Sequence, residues 1–321
     1  MGRHIIEAAL ARGWQVTLFN RGVTGSALFP EVEHLTGDRD GGLEPLRGKR
    51  FDAVFDTCGY VPRVVRQSVE LLSGATGQYS FVSSMSVYAG FESGCHEGSP
   101  LHDPPPPEEE DVQTYYGPLK VACEREVERV FGERALLGRA GLIVGPHDRI
   151  NRFPYWVKRL HDGGRCLGPG EPSRPVQWID ARDLAAWHLD AAEVGRGGAF
   201  NLTGPATAAT IGEFLSRVNE AVGGRSELVW PGDEFLFRHG VSPLDGLPLW
   251  MPHEFIGFFQ TNIDKALAAG LRFRPVEETA RDTLLTMQTE GFTTDGTIGV
   301  QIESGMPRER ERALLDDLSG S

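Results

Sequence analysis

Tyr116 and Lys120, in the run Tyr116-Gly117-Pro118-Leu119-Lys120, have the types and spacing for proton transfer. Positions four apart share one face of a helix. A free phenol titrates near pH 10, too high to exchange protons readily at neutral pH, and a nearby ammonium favours the phenolate and brings that value down. Such a phenol suits general acid–base work on a hydroxyl or carbonyl oxygen. A second hydroxyl could hold that oxygen, and Ser83, Ser84 and Ser86 supply candidates. Most isolated pairs at this spacing are ordinary surface pairs, so the surrounding elements must decide.

Those elements alternate. Ile5, Ile6, Ala9 and Leu10 recur at helical spacing and Gly13 stops them. Short β-prone runs occupy 14–19, 32–35, 51–55 and 79–82, with a helix over 63–72 before the last. A helical pattern covers 114–131 and a strand 135–144. Strands separated by helices imply parallel β-α-β units, whose carboxyl ends line one crevice. Asn20, Asp38, Asp56 and Ser84 each fall just past a strand end, on one rim. Residues 91–113, rich in proline, glycine and acid, read as a loop over it. Beyond 150 the pattern is less regular: a helix near 155–160, a strand at 176–179, a helix over 181–192, a strand at 199–202 and a helix over 211–222. A last helix at 277–287 precedes a polar tail. The expected fold class is α/β, with residues 1–150 forming a core. Residues 151–321 form mainly a smaller lobe, with segments returning to the core.

The net charge of −13 argues against a nucleic-acid partner, because affinity for a phosphate backbone rests on clustered Lys and Arg. Cys58, Cys95, Cys123 and Cys166 have neither the spacing of a zinc site nor that of a disulfide framework. No metal is expected, and reduced thiols fit a cytoplasmic protein. No apolar run reaches the roughly 18 residues that span a bilayer. The expected partner is a small molecule.

Longer segments then carry a resemblance. Phe81-Val82-Ser83-Ser84-Met85-Ser86-Val87-Tyr88-Ala89-Gly90 closely resembles the strand-end segment of the extended short-chain dehydrogenases, the family of nucleotide-sugar epimerases and dehydratases. Tyr116 lies 32 positions after Ser84, close to that family's separation. The segment from Arg139 to Pro146 resembles its RPGxIxGP strand and turn, and that from Val176 to Ala185 its FIxVxDLA segment. The stretch Asn201 to Gly204, then Asp264-Lys265-Ala266 with Pro275, is similar to its carboxyl-terminal pattern. The likeness covers roughly residues 2–290, in order, and implies a Rossmann-like, doubly wound parallel sheet, with the core over 1–150 dinucleotide-binding and the lobe over 151–321 mainly substrate-binding. It implies catalysis by Tyr116 as proton donor or acceptor, Lys120 lowering its pKa and holding the nicotinamide ribose, and Ser84 orienting the substrate oxygen. The helix bearing Tyr116 is the expected face of a homodimer.

A dinucleotide-binding unit opens with an apolar strand and a glycine-rich turn that cradles the pyrophosphate with the helix behind it. The family's turn reads GxxGxxG, and Gly2 resembles its last glycine. The strand and the two earlier glycines are not seen. In the family that strand lies at the sheet centre, between the strands ending here at Asn20 and Asp56. Without it, two parallel strands lose a buried partner and expose unpaired backbone groups. Either the protein begins about a dozen residues upstream of Met1, as the intact later signatures favour, or this chain lacks the strand and binds its cofactor poorly.

The other cofactor positions are legible. An acid after the second strand holds the ribose hydroxyls of NAD, and a base there accommodates the 2′-phosphate of NADP. Asn20-Arg21-Gly22 occupies that place, and the Arg21 fork suits a phosphate. NADP is therefore expected, with NAD as the alternative. By resemblance Asp38 contacts the adenine, Asp56, Cys58 and Gly59 line the ribose and nicotinamide, and Pro146 follows a turn near the nicotinamide. By the same resemblance the substrate side is expected to include Ser86, Arg174, Gln177 and Trp178. Ser86 reads equally as a turn hydroxyl and Arg174 as a surface arginine. The expected reaction is hydride transfer at a secondary alcohol or ketone of a small molecule such as a sugar or nucleotide sugar, by a reductase or an epimerase. The alternative is a catalytically impaired dinucleotide-binding sensor, or an RNA-associated protein of the same fold.

Overall fold

In the computed structural model residues 1–23, 25, 27–244, 246–290 and 305–320 are described. The chain begins with α1 (Gly2–Ala11), which Gly13 ends at φ +75°, and continues through β1 (Thr17–Asn20), β2 (Glu33–Thr36) and β3 (Phe51–Asp56). Next come α2 (Pro62–Leu72), β4 (Thr76–Ser84), α3 (Val112–Phe131), β5 (Ala135–Ala140) and β6 (Ile143–Val144). The second half runs α4 (Arg152–Asp162), β7 (Gly164–Leu167), β8 (Pro175–Asp180), α5 (Ala181–Glu193), β9 (Gly198–Leu202), β10 (Gly204–Thr210) and α6 (Ile211–Ala221). It closes with β11 (Ser226–Val229), α7 (Gly232–Arg238), α8 (Asp264–Ala268), α9 (Val276–Thr289) and α10 (Arg308–Gly320).

The central sheet has the order β3-β4-β5-β9, all parallel. Every residue of β5 is buried, as a parallel strand covered on both faces requires. On one face, α2 and α3 bring Val65, Val69, Leu72, Cys123, Val127 and Phe131 against Tyr79, Phe81 and Leu137. On the other, α5 and α8 bring Leu184, Trp187 and Ala266 against Leu136, Ala140, Phe200 and Leu202. This is the doubly wound α/β arrangement expected from the sequence.

The four-stranded sheet ends at β3, and β1 and β2 form a separate parallel pair. β1 pairs with β2, from Thr17 beside Glu33 to Asn20 beside Thr36, and among the described residues neither bonds to β3. Side chains close the break instead. Ile5 and Ala9 of α1 pack with Ala185 and Leu189 of α5, and Trp14, Val16 and Phe55 lie against them. The Trp14 and Phe55 rings are 6.5 Å apart.

The strand expected over 135–144 is two strands. At Gly141 a Cβ would collide with Thr203, and past it β6 leaves the central sheet to pair with β8. The remaining elements gather around a second core that includes Phe153, Trp156, Trp178, Phe214, Leu215 and Trp250. The tail expected to be merely polar is instead α10, with Leu314 and Leu315 buried and Glu311 locked onto Arg159 at 2.7 Å. No helix among the described residues is long and apolar enough to cross a membrane.

Candidate active site

The serine hydroxyls stand at the carboxyl end of β4. Met85 and Val87 are fully buried and anchor a tight turn, and the Ser84 oxygen caps it by accepting from the Ser86 amide at 3.1 Å. The Ser84 hydroxyl also donates to the Ser86 hydroxyl at 3.2 Å. Ser86 is thus both a turn residue and a second hydroxyl at the same strand end.

Three local features bring Tyr116 to that turn. Asp111 starts α3 by accepting from the amides of Gln113 and Thr114 at 3.0 and 3.3 Å. Pro118 has no N–H, and its ring conflicts with the carbonyl four residues back. The helix is kinked at Tyr115, at φ −113° and ψ 28°. Gly117 then lets the helix lie directly on the turn, since a Cβ there would collide with the Ser86 carbonyl and stand 3.0 Å from the His102 ring. Tyr116 is consequently carried to the side of Ser84. Burial raises its pKa above the ordinary tyrosine value, opposed by the Ser84 hydrogen bond and by the positive charge of Arg152. Burial wins, so the phenol here holds its proton more tightly than a free tyrosine, the reverse of the lowering expected from the sequence.

Lys120, one turn on, is 2% exposed. Its Nζ donates to the carbonyls of Gly59 at 2.9 Å and Val82 at 2.8 Å. Phe81 faces the ammonium at 4.1 Å and Tyr60 at 5.5 Å. Burial brings its pKa down to about 8. Gly59 is required in this cage, because a Cβ would drive into the Phe81 ring.

Around the rim the expected cofactor residues are placed as follows. Gly2 opens α1, where a Cβ would come within 3.5 Å of Thr57 beyond β3. Asn20 ends β1 and accepts from the Gly22 amide at 2.8 Å, and Arg21 beside it is exposed. Asp38 is exposed and accepts from the Asp40 amide at 3.0 Å. Asp56 is fully engaged: Arg39 grips both oxygens at 2.7 Å, the Tyr79 hydroxyl donates at 2.8 Å and the Cys58 amide at 3.1 Å. Burial would raise this carboxyl, but Arg39 outweighs it and holds it below the ordinary range. Pro146 accepts from the His4 ring at 3.1 Å, tying the turn to α1. His147 and Asn151, at φ +62° and +63°, bracket the loop before α4 in a conformation that costs a residue with a Cβ energy.

The remaining substrate-side residues have other partners. Arg174 pairs with Asp233 and donates to the Met251 carbonyl at 2.7 Å. Gln177 exchanges two 3.0 Å hydrogen bonds with the Thr261 backbone. Trp178 packs 4.6 Å from Phe214 in the second core. The structure thus brings together Tyr116, Ser84, Ser86 and Lys120, and engages Arg174, Gln177 and Trp178 elsewhere. Tyr60, Arg39 and Arg152 are the residues that sequence reasoning missed. No spacing rule links them to the tyrosine helix, and only the meeting of distant loops reveals them.

The Tyr116 phenol, the Ser84 hydroxyl and the caged Lys120 ammonium thus stand together at the strand ends of a doubly wound sheet. The sequence pattern of the NAD dependent epimerase/dehydratase family matches residues 1–203, and the chain belongs to that family. Among solved structures it is similar to a putative epimerase from Burkholderia cenocepacia J2315, at 18% identity and a TM-score of 0.64 over 89% of this chain and 94% of that one. It is also similar to the Bordetella bronchiseptica enzyme WbmG in complex with NAD and UDP, at 16% identity and a TM-score of 0.63 over 91% and 93%. The UDP-glucuronic acid 4-epimerase from Bacillus cereus in complex with NAD gives 15% identity and a TM-score of 0.61 over 92% and 96%. No curated protein matches the chain by sequence. At these identities the likeness establishes the fold.

Proposed function

We propose that the protein transfers hydride between a nicotinamide cofactor and a secondary alcohol or ketone of a small molecule, a sugar or nucleotide sugar, as a reductase or an epimerase. The observation that carries this reading is the seating of the Tyr116 helix on the Ser84–Ser86 turn, where Gly117 lies against the Ser86 carbonyl, with Lys120 caged one turn away. Two of the three Nζ donors are taken by carbonyls, which leaves one for a ribose hydroxyl, so the nicotinamide end of the cofactor fits the residues present. Gly2, Asn20, Arg21, Asp38 and Gly59 would hold the rest, Asp56 keeping the rim in shape through Arg39. Bound nicotinamide would supply the hydride acceptor or donor. Ser84 positions the substrate oxygen, Tyr116 passes it a proton on reduction and takes one on oxidation, and Lys120 holds the ribose. Neighbouring structures with NAD and UDP support a sugar-nucleotide substrate.

Exposed Arg21 supports NADP over NAD. The reading also includes a cytoplasmic location and a homodimer through α3, which light scattering checks. To test the main claim, NADPH and NADH consumption is followed with a panel of ketones and nucleotide sugars, in wild type, Tyr116→Phe and Arg21→Ala. Turnover that survives Tyr116→Phe undiminished overturns the catalytic assignment, and an unchanged cofactor preference in Arg21→Ala overturns that of Arg21. The break between β1 and β3 favours a second reading, a dinucleotide-binding sensor without turnover. NADPH binding with no consumption on any substrate would select it.

A further inference from the structure

The cleft side of Lys120 is walled by a residue to which the proposed chemistry gives no task. Past Asp56 the chain continues through Thr57, Cys58 and Gly59 to Tyr60, then turns into α2 at Pro62. Gly59 supplies one of the two carbonyls that hold Nζ, so Tyr60 stands next to a fixed point of the cage. Phe81, 4.1 Å from Nζ, is fully buried and forms the inner wall. Tyr60, 5.5 Å from Nζ, is half-buried and forms the outer one. Its ring also lies 6.4 Å from that of Tyr116, tilted by 39°. One aromatic side chain therefore borders the ammonium and the phenol together.

We propose that Tyr60 is a positioning residue acting through Lys120: its ring is the outer wall of the ammonium cage, keeping water off Nζ and the donor on its two carbonyls. This rests on the assignment of Lys120 and Tyr116 given above. Two effects of the ring oppose each other. Its face attracts the cation, which favours the protonated amine, and its bulk excludes water, which disfavours it. At 5.5 Å the ring is near the roughly 6 Å limit for such attraction, so exclusion of water prevails. Other charges also bear on Nζ: Cys123 and Glu124 from α3 and Asp56 from the end of β3 favour the ammonium, and Arg39 opposes it. Burial outweighs them and sets the value near 8.

The chain has four lysines, Lys49, Lys120, Lys158 and Lys265, so ε-carbon-13 lysine NMR resolves each one, with Lys120 identified by Lys120→Arg. In wild type the Lys120 resonance titrates near pH 8. Tyr60→Ala admits water and raises the proton affinity of Nζ by on the order of tenfold, moving it toward the ordinary lysine value. Tyr60→Phe keeps the ring and titrates as wild type. Tyr60→Ser gives the same reading as alanine should the alanine variant not fold. Equal titration in wild type and the small variants, or a shift in Tyr60→Phe as large as theirs, overturns the proposal. NADPH consumption is measured in parallel. If no variant and no wild type turns over while the Lys120 shifts appear, the wall stands and the enzymatic reading fails.

Discussion

At the scale of single residues, the electrostatics of Tyr116 run against the simple picture of a lysine that acidifies a tyrosine. Burial raises the phenol, and Arg152 at the start of α4 is a cation whose charge counters it. Removing that charge disfavours the phenolate. Arg152→Gln should thus move Tyr116 to still higher pH, read by ζ-carbon-13 tyrosine NMR of the six tyrosines, with Tyr116 assigned through Tyr116→Phe. Activity in the alcohol-oxidising direction should need correspondingly higher pH. Tyr116→Phe itself should lower kcat by roughly 10²–10⁴-fold, the usual worth of a positioned acid–base group, with folding intact by circular dichroism. The sequence made Tyr116, Lys120 and Ser84 legible because helix spacing and strand-end placement are local properties. Arg152 was illegible because its approach depends on the loop with His147 and Asn151 in left-handed conformations, which no periodicity encodes.

At the scale of elements, the site depends on how closely α3 approaches the end of β4. Gly117→Ala places a methyl against the Ser86 carbonyl, with no flexible atom to yield. Overpacking of this kind costs about 1–3 kcal/mol, and urea unfolding should show it together with a fall in kcat as Tyr116 leaves Ser84. A second element contact is acid-sensitive. His188 on α5 is fully buried, bonded to Ser80 of β4 at 2.7 Å, and burial holds its pKa down to about 4. Below about pH 6.5 the unfolded chain takes this proton and the folded one does not, so stability falls as pH drops toward 4 and levels off beneath it. The loss amounts to about 3 kcal/mol. His188→Asn, which cannot be protonated there, should flatten that slope in urea midpoints between pH 7 and 4.5. Helices were the readiest elements to find in the sequence, with α2, α5 and α6 within a residue or two of their expected spans. The pairing of β7 with β11 was not, because four-residue strands lying far apart in sequence carry little periodicity.

At the scale of the whole molecule, two long-range features stand out. Arg159 and Glu311 form a buried ion pair, with the Leu167 amide also donating to Glu311 at 3.0 Å. Glu311→Ala leaves a buried guanidinium without its counter-charge, a loss of about 3–5 kcal/mol, visible as a lower melting temperature. α10 is thereby part of the fold, a conclusion hidden from the sequence because every residue from Arg308 to Arg312 is charged. The other feature is the division between the β1–β2 pair and the four-stranded sheet, which ends at β3. A central strand is normally the slowest part of a protein to trade its amide protons with solvent, because releasing them requires global unfolding. Here alternate amides of β3 face the division instead of a neighbour, so in deuterated water they should exchange within the time of local breathing. Those of β4, paired on both sides, should persist until the entire molecule opens. The four-stranded sheet would then carry an edge of rapid deuterium uptake running beside its most protected strand.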